Sequence, residues 1–270
     1  MTLGLLAASA SAVFFGLASV LQARAAHATA GTRGSVFRML VRSSFVVGVL
    51  LDIAGFAAQF VALQVAPVFL VQATQAGNLA VTAVVAVPML KIRLSTGEWI
   101  AVAAVCLGLA GLGLSAASEG PAHAPMAFRL ALLGAAALLT LAGIGATRRA
   151  GPVGSAVLGL VAGLQFGVVA LAVRTITDLS VGALVREPAV YAMALGGAAG
   201  FLCFAVGLQK GRVTVVTSAV VIGETLPPAL IGIALLGDHT RPGLTPLAVA
   251  GFAAALAGAA MLARFGEVKA

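Results

Sequence analysis

Apolar runs long enough to cross a membrane follow one another along the chain, separated by short clusters of charged, Gly and Pro residues. A helix needs about 20 apolar residues to span the hydrocarbon core of a bilayer. The uncharged stretch from 53 to 90 is too long for one such helix, and Pro67 marks its turn. The pattern predicts nine spans, at residues 3–22, 44–65, 67–89, 98–116, 129–147, 153–174, 188–208, 213–236 and 245–264.

The composition excludes a soluble globular protein. Hydrophobic residues make up 61% of the 270 residues and charged residues only 9%, whereas soluble domains carry about 25% charged residues. The net charge of +8 lies in short loops and does not form the basic face of a nucleic-acid binder. We therefore expect an all-α polytopic membrane protein that contacts membrane lipid and binds no nucleic acid.

The sequence carries no motif for catalysis or for a cofactor. It has no P-loop, no Gly-rich nucleotide fingerprint and no HExxH pair, and its three histidines fall in predicted loops. Cys106 and Cys203 lie in apolar stretches, where a thiol usually serves only packing. The expectation is a protein that is not an enzyme and that needs no metal, cofactor or disulfide.

Lys and Arg are distributed unequally between the two sides of the nine-span scheme. One side holds 12 of them, and the other holds only 4, which are Arg129, Arg174, Arg186 and Arg241. Cytoplasmic loops are enriched in both residue types. The bias predicts a multi-pass protein of the cell membrane with its N-terminus outside and its C-terminus in the cytoplasm.

Reporter fusions test this orientation. A reporter enzyme that works only in the cytoplasm is expected to be active when fused to the C-terminus, because nine crossings from an outside N-terminus end inside. A second reporter that works only outside serves as the matched comparison. Activity of the outside reporter alone would contradict the nine-span scheme.

The chain also contains an internal repeat. At an offset of about 145 residues, Ala62 to Val71 lies over Gly207 to Val216, so that spans 2–4 pair with spans 7–9. An odd number of crossings separates spans 2 and 7, which must therefore run in opposite directions. We predict an inverted repeat, with spans 1–4 in residues 1–117 and spans 5–9 in residues 118–270. Inverted repeats of this kind are typical of secondary transporters, which bind substrate near the bilayer midplane.

Four segments carry a family resemblance: Gly16 to Gln22, Asp52 to Phe56, Ala62 to Gln72, and Gly207 to Gly211 followed by Pro227-Pro228. At these residues the chain resembles the drug/metabolite transporter superfamily (EamA-like), nearest to its actinobacterial and NIPA-like members. Many members of that superfamily have ten helices, one more than the number predicted here. The resemblance implies a small-molecule carrier, and the NIPA-like similarity adds magnesium as a candidate substrate.

Two carboxylates, Asp52 and Glu224, fall well inside predicted spans. A charged Asp at the centre of a membrane helix costs about 2.5–3.5 kcal/mol on insertion scales, so such a group needs a partner, a cavity or a proton. No Lys, Arg or His lies within the core of any predicted span, which favours protonation or a bound cation. Glu224 is the stronger candidate, because it precedes Pro227-Pro228, where we expect the helix to break.

Polar amides and hydroxyls accompany the two carboxylates on the paired spans. Gln75, Asn78 and Thr82 share one face of span 3 at helical spacing, and span 8 is its repeat mate. The predicted residues for binding substrate or protons are Glu224, Asp52, Gln59, Gln72, Gln75, Asn78 and Thr217. The alternative for each amide is a hydrogen bond that merely joins helices.

The leading functional hypothesis is a secondary transporter of a small molecule, a metabolite or a drug-like compound, coupled to protons through Glu224. The first alternative is a NIPA-like magnesium pathway or a lipid-carrier pathway. The second is an assembly subunit that binds another membrane protein and transports nothing. Partners left open by the sequence are a second copy of the chain and another membrane subunit.

Overall fold

The computed structural model describes residues 2–29, 43–90, 94–117, 124–148, 151–210 and 213–265. Within these ranges the chain is helical, and nine segments are long and apolar enough to cross a membrane, which confirms the predicted number of spans. The helices run over Thr2–Thr29, Ser43–Val65, Val68–Ala76, Asn78–Leu90, Thr96–Ser115, Met126–Thr147, Gly151–Thr175, Val181–Leu184, Pro188–Lys210, Val213–Leu235 and Thr245–Phe265. Val68–Ala76 and Asn78–Leu90 together form span 3, and Val181–Leu184 is a single turn between spans 6 and 7.

Proline and a capping box set several span boundaries. Pro67 and Pro125 occupy the positions immediately before their helices, where a missing N–H costs nothing. The Ser95 hydroxyl accepts a hydrogen bond from the Glu98 amide at 3.3 Å, and the Glu98 carboxylate accepts one from the Ser95 amide at 2.5 Å. The membrane span of the first helix ends at Gln22, as predicted. The helix itself continues to Thr29, because the Ala-rich sequence after Gln22 favours helix even where it is less apolar.

The predicted break at Pro227-Pro228 is wrong. The helix Val213–Leu235 runs through both prolines. Span 3 is interrupted instead, at Gly77, whose amide donates to the carbonyls of Ala73 and Thr74. Two neighbouring spans accommodate the paired prolines. Span 3 donates a hydrogen bond to a backbone carbonyl that Pro228 leaves free, and span 6 leaves room for the Pro228 ring.

Spans 3 and 6 form the centre of the bundle. Of their apolar windows, 61% and 72% are buried, against 22–39% for the other seven described spans. Span 1 packs along span 2, span 6 packs along spans 7 and 8, and span 4 packs along span 9. Large apolar side chains on the outer spans face outward, among them Leu107, Leu138 and Leu230. Such a surface is suited to lipid and not to water.

The glycine run of span 6 packs against span 8 of the same chain. A Cβ added at Gly159 would lie 2.5 Å from the Val216 carbonyl oxygen, and one added at Gly163 would lie 2.2 Å from the Val220 carbonyl oxygen. Any side chain at these positions would therefore push the two backbones apart. The small residues act as they do at other close membrane-helix contacts.

Gly163→Ala tests this contact. The free energy of unfolding in mixed micelles is expected to fall by about 1–3 kcal/mol, the usual cost of overpacking. Gly134→Ala is the matched control, because a Cβ built on Gly134 has no atom within 4 Å apart from its chain neighbours and the backbone of its own helix. Equal stabilities of the two variants would contradict the tight approach of spans 6 and 8.

A buried ion pair lies at the end of the bundle where spans 2, 4, 6 and 8 finish. Arg174 and Asp238, which the sequence places at loop boundaries, have side chains only 1% and 0% exposed, and Arg174 Nη2 lies 3.1 Å from Asp238 Oδ1. Arg174 Nη1 also donates to the Leu63 carbonyl at 2.9 Å, and Asp238 Oδ2 accepts from the Val68 amide at 2.6 Å. The pair therefore connects spans 2, 3 and 6 to the loop after span 8.

Backbone contacts join two loops at the same end. Ala116, after span 4, forms an isolated antiparallel bridge with Thr240, after span 8. The Arg241 amide donates to the Ser115 carbonyl at 2.8 Å. The two loops and the ion pair thus close this end of the bundle with specific bonds.

Candidate functional site

A cavity of about 540 Å³ lies between spans 1, 2, 3, 6, 7 and 8. Its lining combines two carboxylates, four side-chain amides and an apolar wall. The lining residues are Phe15, Val49, Asp52, Ile53, Phe56, Gln59, Gln72, Gln75, Asn78, Phe166, Val169, Gly197 and Glu224. A volume of this size suits a small organic molecule.

The structure brings most of the predicted site residues together around this cavity. Six of the seven line it, and these are Asp52, Gln59, Gln72, Gln75, Asn78 and Glu224. Thr217 does not line it, since it lies two helical turns before Glu224 on span 8. Thr82, expected on the same face as Gln75, donates instead to the Gly16 carbonyl of span 1, at 3.4 Å.

Glu224 is positioned by the two prolines that follow it and by span 3. In a regular helix the amide of residue 228 would bond to the carbonyl of residue 224, but Pro228 has no N–H. The Gln72 side-chain amide donates to that freed Glu224 carbonyl. Gly167 of span 6 makes room for the Pro228 ring, whose Cγ and Cδ lie 3.2 Å from the position of a Cβ at Gly167. The helix therefore passes through the prolines unbroken.

Glu224 lines the cavity. Its side chain is partly buried, and none of the described residues forms an ion pair with it. The ion pairs in the described ranges involve other acids, Glu187 with Arg129 and Asp238 with Arg174. A carboxyl group that lines a membrane cavity without a basic partner can hold a proton or a cationic ligand.

Asp52 is held by an amide from span 1. Gln22 Nε2 donates to Asp52 Oδ2 at 2.6 Å. Gly48, one turn before Asp52, allows this approach, because a Cβ there would lie 2.8 Å from Gln22 Cγ. Asp52 therefore has a neutral donor on one oxygen and forms no ion pair with any described basic residue.

Two further amides are tied to neighbouring spans. Ser11 of span 1 donates to Gln75 Oε1 at 3.2 Å, and Gln72 bonds to span 8 as described above. Gln72 is only 3% exposed, and its Oε1 is buried without a hydrogen-bond partner among the described residues. The amides of Gln72 and Gln75 thus do join helices, as the alternative interpretation held.

Sequence reasoning did not select Gln22, which bonds to Asp52, or the apolar residues of the lining, which include the phenylalanines Phe15, Phe56 and Phe166. Gln22 carried a signal, because it is a polar residue at the end of the first apolar run. The phenylalanines carried none, since apolar residues fill every span and only packing distinguishes a cavity wall from a lipid-facing surface.

Comparisons of this chain with protein-family models, with curated proteins and with solved structures gave no match in any of the three. The similarity to the drug/metabolite transporter superfamily therefore stays a prediction that depends on the four sequence segments given above.

Proposed function

We propose that this protein is a secondary transporter that moves a small organic molecule through the cavity and couples the movement to protons at Glu224. The observation that carries the proposal is the meeting of Asp52, Glu224 and four amides in one cavity beside the two central spans. Carboxylates inside a membrane are costly and usually serve substrate or proton binding. A cell-membrane location with a cytoplasmic C-terminus belongs to the same proposal.

The packing of the spans supports an inverted repeat as the basis of alternating access. Span 1 packs on spans 2 and 3 as span 6 packs on spans 7 and 8, and span 4 packs on span 9. These contacts have the pairing expected if spans 1–4 correspond to spans 6–9. Span 5 has no counterpart among spans 1–4 in this correspondence, and it packs on spans 6 and 7. In such folds the two units rock about a central binding site.

The magnesium alternative has less support from the same cavity. A hard cation binds several oxygens at once, and the described part of the chain holds no group of three or more His, Cys, Asp or Glu side chains that could surround a metal ion. Three phenylalanine rings in the wall also suit an organic body better than a hydrated ion.

Proton movement in vesicles tests the proposal. Purified protein is reconstituted into liposomes that contain a pH-sensitive dye and carry an imposed pH gradient. Pools of cationic, neutral and anionic small organic compounds are then added outside. At least one pool is expected to change the rate at which the gradient collapses, relative to protein-free liposomes. No change with any pool would count against proton-coupled transport.

A further inference from the structure

We infer that the ligand of this cavity is an organic cation: a protonated amine on a compact apolar body. The inference names the substrate class and so rests on the proposed transport function. It draws on three features of the cavity, which are its charge, its free hydrogen-bonding capacity and its wall.

The ionisable groups of the lining are acidic. Asp52 and Glu224 line the cavity, and no Lys, Arg or His stands among its lining residues in the described part of the chain. Arg174, on neighbouring span 6, is engaged with Asp238 at the end of the bundle. An anionic ligand would bring a further negative charge into a poorly hydrated site, whereas a cation would offset one already there.

The free hydrogen-bonding capacity is that of an acceptor. Gln72 Nε2 is already bonded to the Glu224 carbonyl, and Gln72 Oε1 is buried without a partner in the described part of the chain. On Asp52, one oxygen accepts from Gln22 and the other remains able to accept. An ammonium group, which carries up to three N–H donors and a positive charge, can donate to the carboxylates of the two acidic residues that line the cavity.

The wall of the cavity suits an apolar body beside a cation. Phe15, Phe56 and Phe166 line it together with aliphatic side chains. The face of an aromatic ring attracts an ammonium group, and it also packs against hydrocarbon. About 540 Å³ accommodates a ring or a short chain in addition to the ammonium group. A bare metal ion would leave most of this space and most of the apolar wall unused.

Binding of three compounds with one skeleton tests the inference. The probes are 4-phenylbutylamine, a cation at neutral pH, 4-phenylbutan-1-ol, which is neutral, and 4-phenylbutyrate, an anion, with magnesium chloride as a fourth. Affinity is measured by calorimetry on the purified full chain in detergent. The amine is expected to bind at least about tenfold more tightly than the alcohol, which corresponds to about 1.4 kcal/mol. The butyrate is expected to bind more weakly than the alcohol.

Three variants locate the binding site. Glu224→Gln and Asp52→Asn are expected to reduce the advantage of the amine over the alcohol. Asp178→Asn is the matched control, because Asp178 is an exposed acid in the loop after span 6. Hydrogen bonds from Ser180 hold the pKa of Asp178 below its usual value, so this variant also removes a negative charge at neutral pH. It is expected to bind the amine as the unmodified protein does.

The results separate the ligand class from transport. Equal or tighter binding of the alcohol, a preference for the butyrate, magnesium binding without amine binding, or no binding of any probe would each overturn the inference. If the amine binds in a Glu224-dependent way but no compound moves protons in vesicles, the ligand class stands and the transport proposal fails. If only neutral or anionic compounds move protons, transport stands and the ligand class fails.

Discussion

Glu224→Gln is expected to abolish proton-coupled transport and to leave the fold intact. Glutamine keeps the shape of the side chain and can still form hydrogen bonds, but it cannot exchange a proton. The contact that spans the prolines is made by the backbone carbonyl of Glu224, which accepts from Gln72, and the substitution leaves that carbonyl in place. Span 8 should therefore keep its course. The measurement is compound-driven collapse of a pH gradient in vesicles, which should fall to the level of protein-free vesicles.

Other variants show whether a loss is specific to this carboxyl group. Asp52→Asn is expected to have a smaller effect, because one oxygen of Asp52 already accepts a hydrogen bond from Gln22. Asp178→Asn should behave as the unmodified protein. Glu224→Leu should insert normally and should also lack transport, since it removes both the charge and its cost of burial. Full gradient-driven activity in Glu224→Gln would remove Glu224 from the mechanism.

Asp238→Asn is expected to destabilise the protein strongly. The substitution leaves the Arg174 guanidinium buried, with its side chain only 1% exposed and its charge uncompensated. Removing one partner of a buried ion pair typically costs about 3–5 kcal/mol. The measurement is the free energy of unfolding in mixed micelles, compared between variant and unmodified protein.

A more exposed ion pair at the same end of the bundle serves as the control. Arg129 and Glu187 lie 2.6 Å apart, with side chains 19% and 15% exposed. Glu187→Gln should cost about 1 kcal/mol or less, as for partly solvated pairs. The double variant Arg174→Met with Asp238→Asn should be more stable than Asp238→Asn alone, because no buried charge remains. A cost for Asp238→Asn no larger than that for Glu187→Gln would show that burial does not matter for this pair.

The number and approximate limits of the nine spans could be predicted from the sequence. In lipid the backbone polar groups of a spanning segment must form hydrogen bonds within that segment, so an apolar run of sufficient length forms a helix. The pattern around Ala66-Pro67 separated spans 2 and 3 correctly, since proline begins a helix more easily than it continues one. The apolar part of span 1 ends at Gln22, as predicted, and its helix continues to Thr29, because hydropathy marks the lipid-facing part of a helix and not its last residue.

Much of the cavity was also predictable, and for the same physical reason. Polar side chains are costly in lipid, so those that occur inside spans must meet one another or a cavity. Asp52, Gln72 and Glu224 were selected on this basis, and the structure places them around one space. What they bind and whether they move protons remain predictions.

The sequence by itself determined the membrane environment, the count of spans and the set of polar residues that had to avoid lipid, because each depends on the solvation of local segments. Only the tertiary structure decided which groups meet. Arg174 and Asp238 are 64 residues apart and are buried only because their two loop boundaries pack together. Where span 8 passes through its prolines, Gln72, 152 residues away, supplies a donor to the carbonyl that Pro228 leaves free. Such pairings depend on how the helices pack. The hydropathy of a sequence shows which segments are helices but not which helix faces contact one another.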